Sequence, residues 1–211
     1  MTFTRAATKP EWFFSDVITI TSQTGVGSST TLKLMRTALS NDGRKRFISG
    51  GAIMRSFAES RGMTIYDFAA YNAKHPDQGY DLKCDTEIRG YGSQNHTVIE
   101  GRLPHVFAPH GYHVKLVCPT DVRAGRRKKD KEYGHLPVGE IITMIEQRDS
   151  DDDGRYEVLY PGCLWPDKDF DIVLDTSTSN AAQVVNSILK EHDLWVRALG
   201  TNVRYTIAGE S

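Results

Sequence analysis

The stretch VITITSQTGVGSSTTLKLMRTAL, residues 17–39, constrains this 211-residue chain more than any other. Val17, Ile18 and Ile20 make a short apolar run suited to a strand covered on both faces. Leu32, Met35 and Leu39 then recur at helical spacing. Between the two lies a tight turn carrying Gly25 and Gly27, whose lack of a Cβ opens backbone dihedrals closed to other residues. Successive N–H groups can then converge on an anion at the start of the helix. The stretch therefore predicts strand, phosphate cradle, helix.

Set against the Walker A pattern GxxxxGK[ST], the turn departs at two points. Ser22 stands where the first glycine belongs and Ser28 where the lysine belongs, while Ser29 fills the hydroxyl position that ligands Mg²⁺. An ordinary strand-to-helix turn would also carry glycines, so the phosphate reading depends on the rest of the chain.

A length of 211 residues fits one domain with a sizeable core, and a net charge of −1 gives no overall field toward nucleic acid or membrane. Cys84, Cys118 and Cys163 are an odd number without CxxC spacing, which disfavours a disulfide framework and a zinc site and suits a reducing cytoplasm. No leader pattern and no run of 18 apolar residues is found, so the expectation is a soluble cytoplasmic protein with no membrane partner.

Residues 1–15 read as an N-terminal extension packed on the body by Trp12, Phe13 and Phe14. Asn41-Asp42-Gly43 reads as a helix stop, and Arg46 to Ser49 as a second strand. Gly50 and Gly51 open a helix with Ile53, Phe57 and Ala58 inward; Gly62 ends it, Thr64 caps the next and Pro76 ends that one. From about Asp81 to Tyr91 a further helix places Asp81, Asp85 and Arg89 on one face.

HTVIEGRL, residues 96–103, is a third strand running into a polar turn, with Glu100 and Arg102 at its C-terminal end, where open parallel sheets place ligands. Tyr112 to Cys118 is a fourth strand. The basic cluster Arg123, Arg126, Arg127, Lys128, Lys129 and Lys131 reads either as a solvated helix face or as a phosphate-binding one. A helix from about Val138 to Arg148 leads into RDSDDDGRY, predicted as a mobile loop. A fifth strand, Phe170 to Asp175, precedes a helix capped by Ser179, and residues 193–211 form a tail with a strand-like VRYTI. Strand and helix alternate five times, which predicts an α/β domain over 16–192 with a five-stranded parallel sheet flanked by helices.

These segments, in this order, resemble the P-loop nucleoside monophosphate kinase family, and within it the archaeal-type cytidylate kinases. The likeness rests on GVGSSTT, ISGGAIMRSFAESRGMTIYDF, HPDQGYDLKCDTEI, VIEGRL, VRAGRRKKD, EQRDSDDDGRYEVLYPG and FDIVLDTSTSN, and covers residues 17 to 190. That branch carries a GSGTTT-like loop in which a hydroxyl residue replaces the lysine, as Ser28 does here. The resemblance implies a P-loop kinase fold with acceptor-binding helices over about 50–92 and a lid over about 123–160. It also implies ATP and Mg²⁺ as cofactors, nucleotides as partners, and a monomer or homodimer.

For the donor, the resemblance implies binding by Gly25, Val26, Gly27, Ser28, Ser29 and Thr30, with Arg123 and Arg127, and metal contact through Ser29 and Glu100. For the acceptor it implies Ser49, Gly51, Arg55, Asp81, Asp85 and Arg102. Arg102, Arg148, Arg155 and Asp85 carry the catalytic roles, Arg148 and Arg155 as lid arginines. The missing lysine removes a unit charge worth about 4 kcal/mol at about 4 Å and an effective dielectric near 20, so another cation must stand in.

The first reading is ATP-dependent phosphoryl transfer to a pyrimidine nucleoside monophosphate, CMP or dCMP. The alternative is a phage-type P-loop kinase acting on the hydroxymethyl group of a modified pyrimidine in DNA, motivated by the basic cluster, the N-terminal aromatics, Pro104-His105 and the tail. An alcohol nucleophile would then require Asp81 or Asp85 as base. A third reading, motivated by Ser22 and Ser28, is a nucleotide-binding protein without catalysis.

Overall fold

The computed structural model describes residues 16–40, 45–163 and 165–198. Trp12, Phe13 and Phe14, the Asn41-Asp42-Gly43 stop and VRYTI lie outside these residues. Five strands form one sheet: β1 (Val17–Ser22), β2 (Arg46–Ser49), β3 (Thr97–Gly101), β4 (Tyr112–Val117) and β5 (Ile172–Asp175). Every pairing is parallel and the order is β2-β3-β1-β4-β5. The first strand is thus central, with β3 on one side and β4 on the other. The chain reverses its direction of travel across the sheet there, which opens a crevice at the carboxyl ends of the strands.

All six residues of β1 are buried, and their alternation sorts them onto two different surfaces. Ile18 and Ile20 join Met35 and Leu39 of α1 (Ser28–Ala38) and Ile188 and Leu189 of α8 (Ala181–Ala198) in one core. Val17 points the other way, into a core with Ile99, Ile88 and Phe107. Its neighbours on that face, Thr19 and Thr21, are fully buried and need partners; their hydroxyls lie 2.9 Å from His113 Nδ1 and 3.1 Å from His105 Nδ1.

Burial pushes the imidazole of His105 down to about 4 and that of His192 down to about 3. Both are therefore neutral in the fold and must take up a proton to unfold in acid. Their contribution is complete above the ordinary histidine value, near 6.5, and declines as pH falls below it. A thermal midpoint that drops between pH 7 and pH 5 is the expected result, measured by circular dichroism.

Ser49 at the end of β2 accepts from the Ala52 amide and caps α2 (Gly50–Ser60). Gly62, at φ +66°, turns the chain out of it, and the Thr64 side chain caps α3 (Ile65–Lys74) as predicted. α4 (Tyr80–Gly92) packs against α2, and between them Phe57, Phe68 and Tyr80 fill a small aromatic core.

Four expectations are corrected. RDSDDDGRY is not a loop: α7 runs unbroken from Val138 to Leu159, because Asp149, Asp152 and Tyr156 lie on its buried side and hold a helix that charge alternation alone would leave undecided. The polar turn after β3 contains a short helix, α5 (Pro104–Phe107), with proline at its start. The fifth strand begins at Ile172, after a turn at Asp167–Asp169. Asn180 rather than Ser179 caps α8, its Oδ1 accepting from the Gln183 amide, and that helix continues through Ala198 into what read as tail.

Candidate active site

The crevice rim is built from the Ser22–Gly27 turn, the end of β3, the start of α6 (Thr120–Arg127) and one side of α7. Gly25 and Gly27 have φ of +79° and +108°, in the left-handed region where a Cβ is strained. A Cβ on Gly25 would also stand 3.4 Å from Arg123 Cβ. The turn therefore requires both glycines, as its spacing implied. Replacing Gly27 with alanine is expected to cost about 1–3 kcal/mol of stability and to weaken ADP binding, checked by urea unfolding and calorimetric titration.

Val26 is buried, and Gly25, Gly27 and Ser28 are partly exposed at the crevice, while Ser29 and Thr30 face solvent on the first turn of α1. Ser29 Oγ donates to Glu100 Oε2 and Ser49 Oγ to Glu100 Oε1, each at 3.5 Å. Burial raises the Glu100 carboxyl above its ordinary value; Arg55, Ser49, Arg102 and Ser29 oppose that shift. A buried carboxylate flanked by two hydroxyls offers oxygen ligands of the kind that suit a hard cation such as Mg²⁺.

Arg102 is the most connected of the predicted residues. Its Nη1 donates to the Ser22 carbonyl at 2.8 Å, its Nη2 donates to Thr24 Oγ1 at 2.5 Å, and the same Nη2 lies 2.6 Å from Asp152 and 4.0 Å from Asp149. Arg123 is buried and donates to the Thr24 carbonyl at 3.0 Å while pairing with Asp149 at 2.6 Å. Arg127 Nε would lie 3.7 Å from a Cβ on Gly25, and its guanidinium sits over Tyr133 and 3.7 Å from Asp130.

On the other side of the crevice Arg155 pairs with Asp152 at 2.8 Å and with Asp81 at 3.4 Å, and Asp81 accepts from Asn72 Nδ2 at 2.9 Å. One turn along α4, Asp85 is buried and accepts from the Tyr160 hydroxyl at 2.7 Å; burial pushes its carboxyl up to about 6. Ser49, Gly51 and Arg55 share the β2–α2 junction: a Cβ on Gly51 would lie 3.5 Å from Arg55 Nη1 and 3.7 Å from Ser49 Oγ.

The structure thus brings together the glycine turn, Glu100, Arg102, Arg123, Arg127, Arg155, Asp81, Asp85, Ser49, Gly51 and Arg55 around one crevice. Arg148 is not among them, since it lies on the exposed side of α7. Two residues at the site escaped the sequence reading, Asp149 and Asp152. Their signal was present: three residues apart on a helix, they share the face on which Tyr156 is buried.

The basic cluster also resolves. Arg126 donates to the Val26 carbonyl at 2.9 Å, and Lys128 donates to the carbonyls of Gly134 at 3.0 Å and Leu136 at 2.6 Å. With Arg123 and Arg127 also turned toward the protein, only Lys129 and Lys131 of the cluster are left exposed. The cluster is therefore not a solvated face.

No protein-family model matches the chain. Curated relatives do. The cytidylate kinase of Methanosphaera stadtmanae is 29% identical over 178 residues, 82% of this chain and 96% of that protein. That of Methanopyrus kandleri is 30% identical over 174 residues, covering 77% and 86% of the two chains. The Pyrococcus abyssi enzyme of the same name is 30% identical over 168 residues, 76% and 84%. Solved structures share the fold: a shikimate kinase from Bacteroides thetaiotaomicron aligns with TM-score 0.57 at 15% identity, covering 85% of this chain and 97% of that one. A gluconokinase from Sinorhizobium meliloti gives 0.56, also at 15% identity, with 89% and 97% covered.

Among the described residues no helix is long and apolar enough to cross a membrane. With a five-stranded parallel P-loop kinase sheet, a glycine turn at its crevice and this degree of likeness over most of their length, the chain belongs to the cytidylate kinase family and is a nucleotide kinase.

Proposed function

We propose that the protein transfers the γ-phosphoryl group of ATP to a pyrimidine nucleoside monophosphate, CMP or dCMP, with Mg²⁺. The observation that carries this reading is the position of Arg102, one guanidinium reaching both the phosphate turn and, through Asp152 and Arg155, the acid-bearing helix α4. A phosphoryl group passing between a donor on the turn and an acceptor at α4 would travel beside that charge.

Bound ATP would supply the γ-phosphoryl group, and Mg²⁺ held near Ser29 and Glu100 would neutralise phosphate charge. An oxygen of the acceptor phosphate attacks the γ-phosphorus, the bond to the β–γ bridging oxygen breaks, and ADP leaves with that electron pair. Because the attacking oxygen is already anionic, the protein needs no general base; positioning and charge carry the rate. Ser28 supplies no charge, so Arg102, Arg123 and Arg155 do, the guanidinium fork suiting phosphate oxygens.

Asp81 and Asp85 hold the acceptor base or sugar, and Arg55 its phosphate. α6 and α7 act as the lid. Three free thiols, two of them buried, suit a reducing cytoplasm.

Incubation with radiolabelled ATP, Mg²⁺ and a panel of CMP, dCMP, UMP, dTMP and hydroxymethylated DNA tests the reading. Label on CMP or dCMP is the expected result. Label on DNA alone would replace this reading with the DNA-directed one, which the inward-facing basic residues do not favour; ATP binding with no labelled acceptor would sink both.

A further inference from the structure

Three carbonyls of the phosphate turn, alternating along the chain, each accept from an arginine of a different segment or position. Ser22 accepts from Arg102 at 2.8 Å, Thr24 from Arg123 at 3.0 Å, and Val26 from Arg126 at 2.9 Å. The Val26 carbonyl is held twice, since Thr176 Oγ1 donates to it at 3.0 Å. Arg126 also reaches the Thr176 hydroxyl at 3.1 Å and the Thr176 carbonyl, so the turn is tied to the loop after β5.

In a trans peptide the C=O and the following N–H point in opposite directions, and no cis peptide occurs among the described residues. Drawing the Val26 carbonyl toward Arg126 and Thr176 therefore aims the amide of Gly27 the other way, away from α6 and the loop after β5.

We infer that Arg126 and Thr176 are positioning residues for the donor phosphates: they fix the Val26–Gly27 peptide so that the Gly27 amide faces the anion. The turn, which lacks a lysine of its own, is thus held by Arg102, Arg123 and the Arg126–Thr176 pair. This rests on the turn being the donor phosphate site, the reading proposed above. Arg126 is distinguished from the other two arginines because its guanidinium is turned to backbone and Thr176 rather than to the lid aspartates.

The test is titration of wild type, Arg126→Lys, Thr176→Val and Thr176→Ser with Mg-free tripolyphosphate and, separately, with CMP. Thr176→Val removes one donor to the Val26 carbonyl without changing charge; Arg126→Lys keeps the charge but loses the fork. Both should bind tripolyphosphate about tenfold more weakly, the factor set by one charge-assisted or buried hydrogen bond, and bind CMP as wild type does. Thr176→Ser, which keeps the hydroxyl, should restore tripolyphosphate binding. Wild-type tripolyphosphate affinity in both weakened variants overturns the inference, as does equal loss of tripolyphosphate and CMP, which would mark a general structural role. Failure of wild type itself to bind tripolyphosphate would instead remove the donor-site reading on which the inference stands.

Discussion

Replacing Arg102 with methionine is expected to lower kcat/KM by about a thousandfold or more, with the larger share in kcat. The figure is that of removing a guanidinium from a phosphoryl group in transfer. Three contacts hold this side chain at the glycine turn: the Ser22 carbonyl, the Thr24 hydroxyl and Asp152. Its loss also leaves Asp152 with Arg155 as its remaining partner and weakens the hold on the turn, so ADP should bind less well too. Coupled-assay kinetics with ATP and CMP give the rate, and calorimetry gives the ADP affinity. A kcat/KM within tenfold of wild type would show that the missing lysine is replaced by some other group. Arg148→Met is the matched control: exposed on α7, that residue is expected to matter less than either Arg102 or Arg155.

The second large effect is expected at Asp85. Burial holds its carboxyl at about 6, against the opposing hydrogen bond from Tyr160, so at neutral pH the fold carries an ionised group in a site that favours the neutral form. For a carboxyl raised on folding, the native state binds the extra proton between the ordinary value, near 4, and about 6. Stability from this group therefore falls as pH rises through that window, and the deficit is complete above it. Asp85→Asn keeps an acceptor for Tyr160 and removes the charge, so it should raise stability at pH 7.5 by about 2 kcal/mol.

The sign is opposite to that of the buried histidines. In wild type the carboxyl gains stability on acidification while His105 and His192 lose it, so Asp85→Asn should show a steeper fall in thermal midpoint between pH 6 and pH 4.5. Activity should move the other way from stability, dropping at least about tenfold with CMP if the carboxylate binds the acceptor. A variant both unchanged in stability at pH 7.5 and fully active would remove Asp85 from the site.

Local signals in the chain were sufficient for much of the fold. The β1–turn–α1 unit, the Ser49–Gly51 junction, the Gly62 and Thr64 punctuation and the strand cores are set by neighbours a few residues apart, where propensity, capping and dihedral preference act directly. The errors fell where local signals conflict. RDSDDDGRY, residues 148–156, sets a run of aspartates between Arg148 and Arg155 and reads as a mobile loop, but Asp149 and Asp152 face Arg123 and Arg102, partners 26 and 50 residues distant in sequence. Only that juxtaposition makes two aspartates one turn apart compatible with a buried helix face.

The site divides the same way. What the sequence by itself determined is the cradle: two glycines at the required spacing between a buried strand and an amphipathic helix, a serine in the lysine position, and the ordered segments that resemble a kinase family. What only the tertiary structure decided is which arginines reach that cradle. Arg102, Arg123 and Arg126 reach the turn from 80 to 100 residues away. A chain read linearly shows them as a strand-end arginine and a basic run. The reason is physical: backbone dihedrals are dictated by adjacent atoms, whereas a guanidinium acts on whatever carbonyl or carboxylate the folded sheet carries to within about 3 Å of it.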